Sequence, residues 1–177
     1  LTVYNEPYPQ PAMREGTDEG ILKGLYLFRQ SHEDKPHRAQ IVASGSIMQE
    51  ALRAQDLLAE LDVAANVWSA TSWQQLRVDA LETERWNRLH PEEPKRQPYV
   101  TWCLEPHQGP VVAVSDWIKA VQDQIARWVP APYVPLGTDG FVEGNGGRIP
   151  VEHRPFHAPA ATGVREPGEV EEERLAY

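Results

Sequence analysis

The chain has 177 residues, a hydrophobic content of 41% and a formal net charge of −9. Its length suits one domain with a sizeable core and an appended tail. The negative charge argues against nonspecific binding of nucleic acid and against docking on an anionic membrane, and no apolar run approaches the length of a membrane span. The single cysteine, Cys103, excludes an intramolecular disulfide and fits a reducing compartment, so we expect a cytoplasmic protein.

The first segment, Leu1–Gly16, is predicted to be an irregular linker, because its three prolines interrupt regular backbone hydrogen bonding. The chain opens inside sequence that already has a structured character, so we expect it to be a piece of a longer polypeptide. Thr17–Gly20 is predicted to form a helical turn. Gly24–Arg29 is short, aromatic and flanked by glycine, and we interpret it as a strand paired antiparallel with Ala39–Ala43.

The polar connection Gln30–Arg38 carries several possible metal ligands. Its proline and its density of charge favour a solvated turn, and a metal site normally takes ligands from more than one element. We therefore assign no metal site to the candidate ligands His32, Glu33, Asp34 and His37.

The stretch Ala39–Leu61 is predicted to be the centre of the fold. Ile41–Ala43 has the β-branched character of a buried strand, and apolar residues follow it at helical spacing. Ser46 with Gln49 has the form of a capping box, so the helix is expected to begin at Ser46. A helix N-terminus there could hold an anion, but the favoured interpretation is that Gly45 only allows a tight turn.

A second strand and helix follow. Ala64–Ser69 is predicted to be a strand, and a strand, a crossover helix and a second strand imply a right-handed parallel connection. Ser72 with Gln75 repeats the capping-box form and predicts a helix that continues to Arg88 and stops before His90–Pro91.

The C-terminal half is predicted to add two more strands. A proline-rich extended loop leads into Tyr99–Leu104, and Val111–Val114 follows as a buried strand. Asp116 is a plausible N-cap for a helix over Trp117–Trp128, and Tyr133–Gly137 is predicted to be the last strand. We expect six apolar side chains of the central strands to be buried, since a sheet covered on both faces requires this: Ile41, Val42, Val67, Val111, Val112 and Val114.

The composition changes after Phe141. Val142–Tyr177 is rich in glycine, proline, arginine and glutamate and has no sustained period, which predicts a disordered or loosely attached tail. His153 and His157 are four residues apart, but a proline between them spoils a helical ligand pair. Both histidines are therefore expected to face solvent.

Six phrases in order resemble the C-terminal part of the homodimeric pyruvate dehydrogenase family, the thiamine-dependent first component of the pyruvate dehydrogenase complex. The most specific is Glu84-Arg85-Trp86-Asn87-Arg88-Leu89-His90-Pro91, followed by Pro98-Tyr99-Val100. The others are Asn5-Glu6 with Pro11-Ala12-Met13 and Glu15-Gly16, then Gly45-Ser46-Ile47, Val67-Trp68-Ser69 with Thr71-Ser72, and Leu136-Gly137-Thr138-Asp139-Gly140-Phe141.

The resemblance implies a three-layer α/β/α domain, with a mostly parallel five-stranded sheet and one antiparallel strand. In this family it is the last of three domains, and the first two hold thiamine diphosphate and Mg²⁺ between the subunits of a homodimer. The family's reaction decarboxylates pyruvate and passes the two-carbon unit to a lipoyl group on the second component, the dihydrolipoyl acetyltransferase. The expected division is a linker over 1–16, the domain over 17–141 and the tail over 142–177.

No catalytic, cofactor-binding or metal-binding residue is assigned to this chain. Asp139-Gly140 resembles the start of a thiamine diphosphate motif, but the order of residues differs and the downstream asparagine is missing. The resemblance also stops at Phe141, where the family continues with further helices and a strand. A frameshifted or substituted C-terminus would have this appearance. The segment is therefore expected to be structural and dimer-forming, and inactive alone.

Two interpretations of Glu84–Pro91 stay open. The segment could contact another domain or the second subunit, or Trp86 and Leu89 could be core residues while Arg85 and Asn87 hold a turn; the second is favoured. His90 has no carboxylate of defined geometry beside it and is not assigned as a proton carrier. The alternative functions are the C-terminal domain of a transketolase and a stand-alone α/β binding module.

Overall fold

The computed structural model describes residues 11–31 and 34–138. These residues form five helices and five strands, with helices on both sides of a single sheet. In chain order the elements are α1 (Asp18–Lys23), β1 (Leu25–Arg29), β2 (His37–Ala43), α2 (Met48–Glu60), β3 (Val63–Ala70), α3 (Trp73–Leu89), α4 (Tyr99–Leu104), β4 (Val111–Ile118), α5 (Lys119–Asp123) and β5 (Tyr133–Thr138). The strand order is β1-β3-β2-β4-β5, and only β1 runs antiparallel to its neighbour. The predicted α/β/α domain with one antiparallel strand is confirmed.

The first strand has a different partner from the one predicted. Strand β1 pairs with β3, in a register that places Leu25 opposite Ala70 and Leu27 opposite Trp68. The predicted pairing of Gly24–Arg29 with Ala39–Ala43 is therefore wrong, although the strand and its antiparallel direction are correct. Both edges of β2 are occupied, one by β3 and the other by β4, so β1 pairs with the other edge of β3.

The turn before β1 explains why a glycine flanks that strand. Gly24 ends α1 with φ 98°, in the left-handed region, and its N–H donates to the carbonyls of Gly20 and Ile21. Glycine adopts this conformation without the steric cost that other residues meet. The predicted helical turn near Thr17–Gly20 is thus confirmed as α1.

The helix after β2 does not begin as predicted. A 3₁₀ turn over Gly45–Ile47 precedes α2, and neither that turn nor the helix has a side-chain cap at its start. The Ser46 hydroxyl instead donates to Asp116 Oδ2 over 3.4 Å. The predicted capping box at Ser46 is wrong, because a tertiary contact engages the hydroxyl that would otherwise cap the helix.

The second serine–glutamine pattern, Ser72 with Gln75, caps its helix as predicted. Ser72 has an extended backbone at the start of α3, and its Oγ accepts a hydrogen bond from the Gln75 N–H over 3.1 Å. Such a contact satisfies one of the free N–H groups at a helix start. The helix runs to Leu89 and stops before the His90–Pro91 step, as predicted.

The C-terminal half differs from the prediction in its helices. Tyr99–Leu104, for which the sequence predicts no element type, is the helix α4. Asp116 does not cap a helix, because β4 continues through Ile118, which lies opposite Thr138 of β5 after an irregularity in the register. Pairing with β5 thus overrides the local N-cap preference. The long helix predicted over Trp117–Trp128 is replaced by α5 and a 3₁₀ turn over Ala126–Trp128.

Two clusters of buried side chains lie on the two faces of the sheet. The first joins strand residues to α3 and α4, including Val42, Trp68, Leu76 and Leu104. The second joins the other strand face to α2 and includes Ile41. Five of the six side chains predicted to be buried are buried, and the exception, Val112, is half-buried.

Several predictions fall outside the described residues. These are most of the linker, the two ligand candidates His32 and Glu33, and the whole of Val142–Tyr177 with its two histidines. Over 11–31 and 34–138, none of the helices combines the length and the apolar character needed to cross a membrane.

Candidate functional site

The carboxyl ends of β2 and β4 form the position where α/β sheets commonly bind ligands. The chain leaves β2 on one side through α2 to β3, and later reaches β4 on the other side. The gap between two such strands is a topological switch point. Here the turn after β2 carries Ser44, Gly45 and Ser46, and the end of β4 carries Asp116.

The geometry at this edge favours a structural role for the turn. Gly45 has φ 62°, in the left-handed region, so it shapes the turn as the favoured interpretation requires. The Ser44 hydroxyl accepts from the indole N–H of Trp73 over 3.1 Å, and Ser46 faces the Asp116 carboxylate. Because that carboxylate already brings negative charge to the start of α2, a second anion would be repelled.

Asp116 leaves one polar atom unsatisfied. Its Oδ1 is buried without a hydrogen-bond partner among the described residues, while Oδ2 accepts from Ser46. A buried acceptor without a partner costs free energy. Asp116 is therefore the residue at this edge of the sheet whose buried side chain has an unsatisfied hydrogen-bond acceptor.

A polar network crosses the buried face of β2 and β3. Gln40 accepts from the Trp68 indole N–H over 2.9 Å and from the Asn66 amide over 3.2 Å, and it donates to the Gln108 carbonyl over 2.9 Å. The Asn66 Nδ2 also contacts His107 Nδ1 over 3.3 Å. Since an amide nitrogen can only donate, Nδ1 is the acceptor, and the proton of neutral His107 lies on Nε2.

A cavity of about 520 Å³ adjoins this network. It lies between α1, α4, the β1–β3 side of the sheet and the loop after α4. Its lining is mostly aromatic or apolar, with one acid, one lysine and one histidine: Gly16, Thr17, Glu19, Gly20, Lys23, Tyr26, Leu27, Trp68, Tyr99, Trp102, Cys103, Pro106 and His107. A volume and a lining of this kind are typical of small-molecule sites.

Burial favours the neutral form of three titratable groups in the cavity, Cys103, Tyr99 and His107. Burial raises the pKa of the Cys103 thiol and of the Tyr99 hydroxyl above their ordinary values, and it lowers the pKa of His107. The Tyr99 hydroxyl donates to the Leu25 carbonyl over 3.0 Å. These groups therefore present hydrogen-bonding or apolar surface and add no net charge near neutral pH.

The segment Glu84–Pro91 forms the C-terminal end of α3 and the first residues after it. Trp86 stacks on the His90 ring at 4.5 Å between centroids, and the Arg96 guanidinium lies 3.6 Å from the Trp86 centroid. Asn87 exchanges two hydrogen bonds with the backbone of Arg96, 2.9 and 2.8 Å long. Asn87 thus holds a turn as predicted.

The other parts of that interpretation differ. Leu89 is 65% exposed and is not a core residue, while Trp86 is half-buried in its stack. Leu89 comes after the last turn of α3 that packs on the sheet, so its side chain faces solvent. Glu84 joins the helix to the 3₁₀ turn, because its Oε1 accepts from the Trp128 indole N–H over 2.8 Å and lies 2.9 Å from Arg127 Nη2.

The remaining sequence candidates form no site among the described residues. Asp34 pairs with Arg38, and His37 opens β2. Within residues 11–31 and 34–138, no three histidine, cysteine, aspartate or glutamate side chains cluster as metal ligands. Asp139-Gly140 lies outside the described range.

The cavity is the feature that sequence reasoning missed. It draws on segments between residues 16 and 107, and one of its walls is α4, a helix that the sequence did not predict. One local signal existed: Tyr99, Trp102 and Cys103 have i, i+3 and i+4 spacing, which places them on one face of a helix.

The fold and the sequence define the class of this protein. The model of the transketolase-like TK C-terminal domain matches residues 24–153. This match covers more than half of the chain and includes β1 to β5. The chain therefore belongs to the transketolase-like C-terminal domain family.

Among curated proteins, this chain is similar to pyruvate dehydrogenase E1 components. It is 52% identical to the one from Mycolicibacterium smegmatis and 49% identical to the one from Mycobacterium tuberculosis, each over 93% of this chain. An alignment over 166 of the 177 residues extends past Phe141, so the predicted end of the resemblance at Phe141 is wrong. Its identity to the Escherichia coli K12 protein is 41% over 80% of this chain. The chain spans 18% of the length of the two mycobacterial relatives.

Solved structures of transketolases also match. The transketolase from Leishmania mexicana has a TM-score of 0.42 and 23% identity, over 70% of this chain and 14% of that chain. A split-gene transketolase, described as an inactive beta4 tetramer, has a TM-score of 0.42 and 20% identity, over 70% of this chain and 35% of that chain.

Proposed function

We propose that this chain is the C-terminal domain of a pyruvate dehydrogenase E1 component. The observation that carries the proposal is the identity of 52% to the M. smegmatis protein, maintained over 93% of this chain. The Glu84–Pro91 phrase supports the same choice, because its sequence resembles that family.

In the parent enzyme, the preceding domains bind thiamine diphosphate and Mg²⁺ between two subunits. The bound thiamine supplies the carbanion chemistry that decarboxylates pyruvate, and the acetyl unit passes to a lipoyl group of the dihydrolipoyl acetyltransferase. Residues 17–141 are the structural domain in this proposal, and 1–16 link it to the preceding domain. The chain supplies no catalytic, cofactor-binding or metal-binding side chain and is inactive alone.

Exposed apolar side chains support a role in assembly. Leu22 is largely exposed on α1, and Val134 and Leu136 are exposed on β5. Large apolar side chains on the surface commonly mark contacts with other domains or subunits. We assign these surfaces to the preceding domains and the second subunit. A cytoplasmic location fits the buried free Cys103.

A domain exchange tests the proposal. The 166 aligned residues would replace the matching segment of the M. smegmatis E1 component. The expected product assembles and reduces lipoyl groups with pyruvate, whereas the same enzyme with the segment deleted does not. The same exchange into the L. mexicana transketolase is the control for the transketolase alternative. A folded E1 chimaera without activity, together with an active transketolase chimaera, would contradict the proposal.

Pyruvate turnover by the chain itself tests the second part. The purified 177-residue chain is expected to decarboxylate no pyruvate above a blank, with or without thiamine diphosphate and Mg²⁺. Turnover above the blank would show that the chain holds a catalytic site of its own.

A further inference from the structure

The cavity beside α1 and α4 has no role in the proposed function. From its lining we infer that it binds an aromatic α-amino acid, with the ring between the aromatic walls and the zwitterionic head group at Lys23 and Glu19. The inference is independent of the identity of the parent enzyme, since it rests on the geometry of the described residues alone.

The inner end of the cavity is apolar, and neighbouring side chains hold its residues in place. Trp68 and Cys103 are buried there, and Leu27 lies beside them. The Trp68 indole N–H already donates to Gln40, so the ring offers apolar surface without an unsatisfied donor. The His107 ring meets Trp68 edge-on at 5.0 Å between centroids. A planar apolar side chain gains most by leaving water at this end, at about 25 cal/mol for each Å² of apolar surface that it buries.

The α4 wall is a stack of two aromatic rings. The Tyr99 and Trp102 centroids are 5.8 Å apart, with an interplanar angle of 20°. Trp102 is nevertheless 62% exposed. A tryptophan ring that remains this exposed at the mouth of a cavity offers a face on which a further aromatic ring can stack.

The mouth of the cavity carries one charge of each sign. Lys23 Nζ lies 2.7 Å from Glu19 Oε1, and the side chains of Lys23 and Glu19 are 50% and 79% exposed. Lys23 Nζ is also 5.0 Å from the Tyr99 centroid, so the charge pair adjoins the aromatic wall. An exposed ion pair of this kind contributes little to stability. Breaking it therefore costs little, and Lys23 can then bind the carboxylate of a ligand while Glu19 binds its ammonium group.

The two charges select for a zwitterion. An aromatic anion that pairs with Lys23 would leave the negative charge of Glu19 without a partner. An aromatic cation that pairs with Glu19 would likewise leave the positive charge of Lys23 without a partner. An α-amino acid brings both charges on the carbon next to the one that carries its ring. The charge pair and the aromatic stack are therefore complementary to the two ends of one small molecule.

Calorimetric titration of the 177-residue chain with L-tryptophan tests the inference. Saturable binding is expected, with affinity weaker by about tenfold for tryptamine and for indole-3-propionate, each of which lacks one of the two charges. No saturable binding of L-tryptophan at about 1 mM would overturn the inference. Equal affinity for all three compounds would overturn the assignment of the head group to Lys23 and Glu19.

Matched variants locate the binding. Lys23→Met and Trp102→Leu are expected to weaken L-tryptophan binding by about tenfold. Their controls, Lys95→Met and Trp117→Leu, change exposed residues of the same types outside the cavity and should leave binding unchanged. All four positions are exposed, so the variants should fold, which thermal denaturation checks. Binding that is lost only in the control variants would overturn the inference.

Discussion

The two faces of the sheet are covered unequally. One face lies under α3 and α4, and its cluster includes fully buried residues from these helices, such as Leu76 and Leu104. The other face is covered by α2, which packs over β2 and β3. Over β4 and β5 on that face, Val112 is half-buried, while Val134 and Leu136 are 48% and 42% exposed.

The register explains the uneven cover. Val134 lies opposite Val112 and Leu136 lies opposite Val114, so the exposed side chains of β5 continue the apolar surface of β4. A sheet of mostly parallel strands is normally covered on both faces. Within the described residues, Val114 near the end of β4 packs with Ile47 and Met48, whereas Val112 and the β5 side chains on this face are only partly covered. The two faces should therefore respond differently to substitution and to concentration.

The largest expected difference concerns leucine truncation on the two faces. Leu76→Ala removes a fully buried side chain from α3 and should lower the free energy of unfolding by about 2–5 kcal/mol. Leu136→Ala removes an exposed side chain and should change it by about 0.5 kcal/mol or less. Chemical denaturation of both variants measures the difference. Equal destabilisation would show that the two faces are covered alike.

The second prediction concerns association. An open apolar face beside the edge strand β5 should make the isolated chain self-associate, because both the side chains and the strand edge can meet a second copy. Leu136→Glu should shift the chain towards the monomer in analytical ultracentrifugation, since two copies would each bring a carboxylate to the interface.

Leu89→Glu is the matched control, because Leu89 is also exposed but lies at the end of α3, on another part of the surface. It should leave the association unchanged. A wild-type chain that stays monomeric at all concentrations would show that the β5 face is covered within the chain itself.

The third prediction compares the two serine–glutamine patterns. Ser72→Ala removes the cap of α3 and should cost about 1 kcal/mol of stability. Ser46→Ala removes only the long contact to Asp116 and should cost less than about 0.5 kcal/mol. The two unfolding midpoints measured side by side decide this, and a larger loss for Ser46→Ala would contradict the assignment of the caps.

The smallest expected effect is a change in how stability falls at alkaline pH. Burial raises the pKa of Tyr133 above its ordinary value of 10.0, and its hydroxyl donates to the Gln122 carbonyl over 2.7 Å. The unfolded chain then loses this proton first as pH rises, so the contribution of Tyr133 to stability is full below about pH 10 and falls above it. Burial also raises the pKa of Tyr99 and of Cys103, so Tyr133 accounts for only part of the fall.

Tyr133→Phe should make the fall in stability above pH 10 shallower, while at pH 7 it costs the hydrogen bond to Gln122. Denaturation curves at several alkaline pH values compare the slopes of the two proteins. An unchanged slope would mean that Tyr133 ionises equally easily in the folded and the unfolded chain.

Local sequence signals predicted much of the fold but not its pairing. The strands over Ile41–Ala43 and Val111–Val114 were predicted because a continuous apolar run is typical of a strand covered on both faces. The pairing of β1 with β3 was missed, because the neighbours of a strand depend on residues far away in the chain. Asp116 shows the same limit, since pairing of β4 with β5 displaced a helix that the local pattern favours.

The sequence by itself determined the order of the strands along the chain, the long helices α2 and α3, the N-cap of α3 at Ser72 and the family, because periodicity, capping and long ordered phrases depend on neighbouring residues. Only the tertiary structure decided the rest. It turned the Ser46 hydroxyl to Asp116, left Leu136 exposed, and brought Lys23, Trp68 and Trp102 to one cavity. These outcomes depend on which residues, far apart in the chain, pack together and exclude water. A short stretch of sequence does not predict such packing.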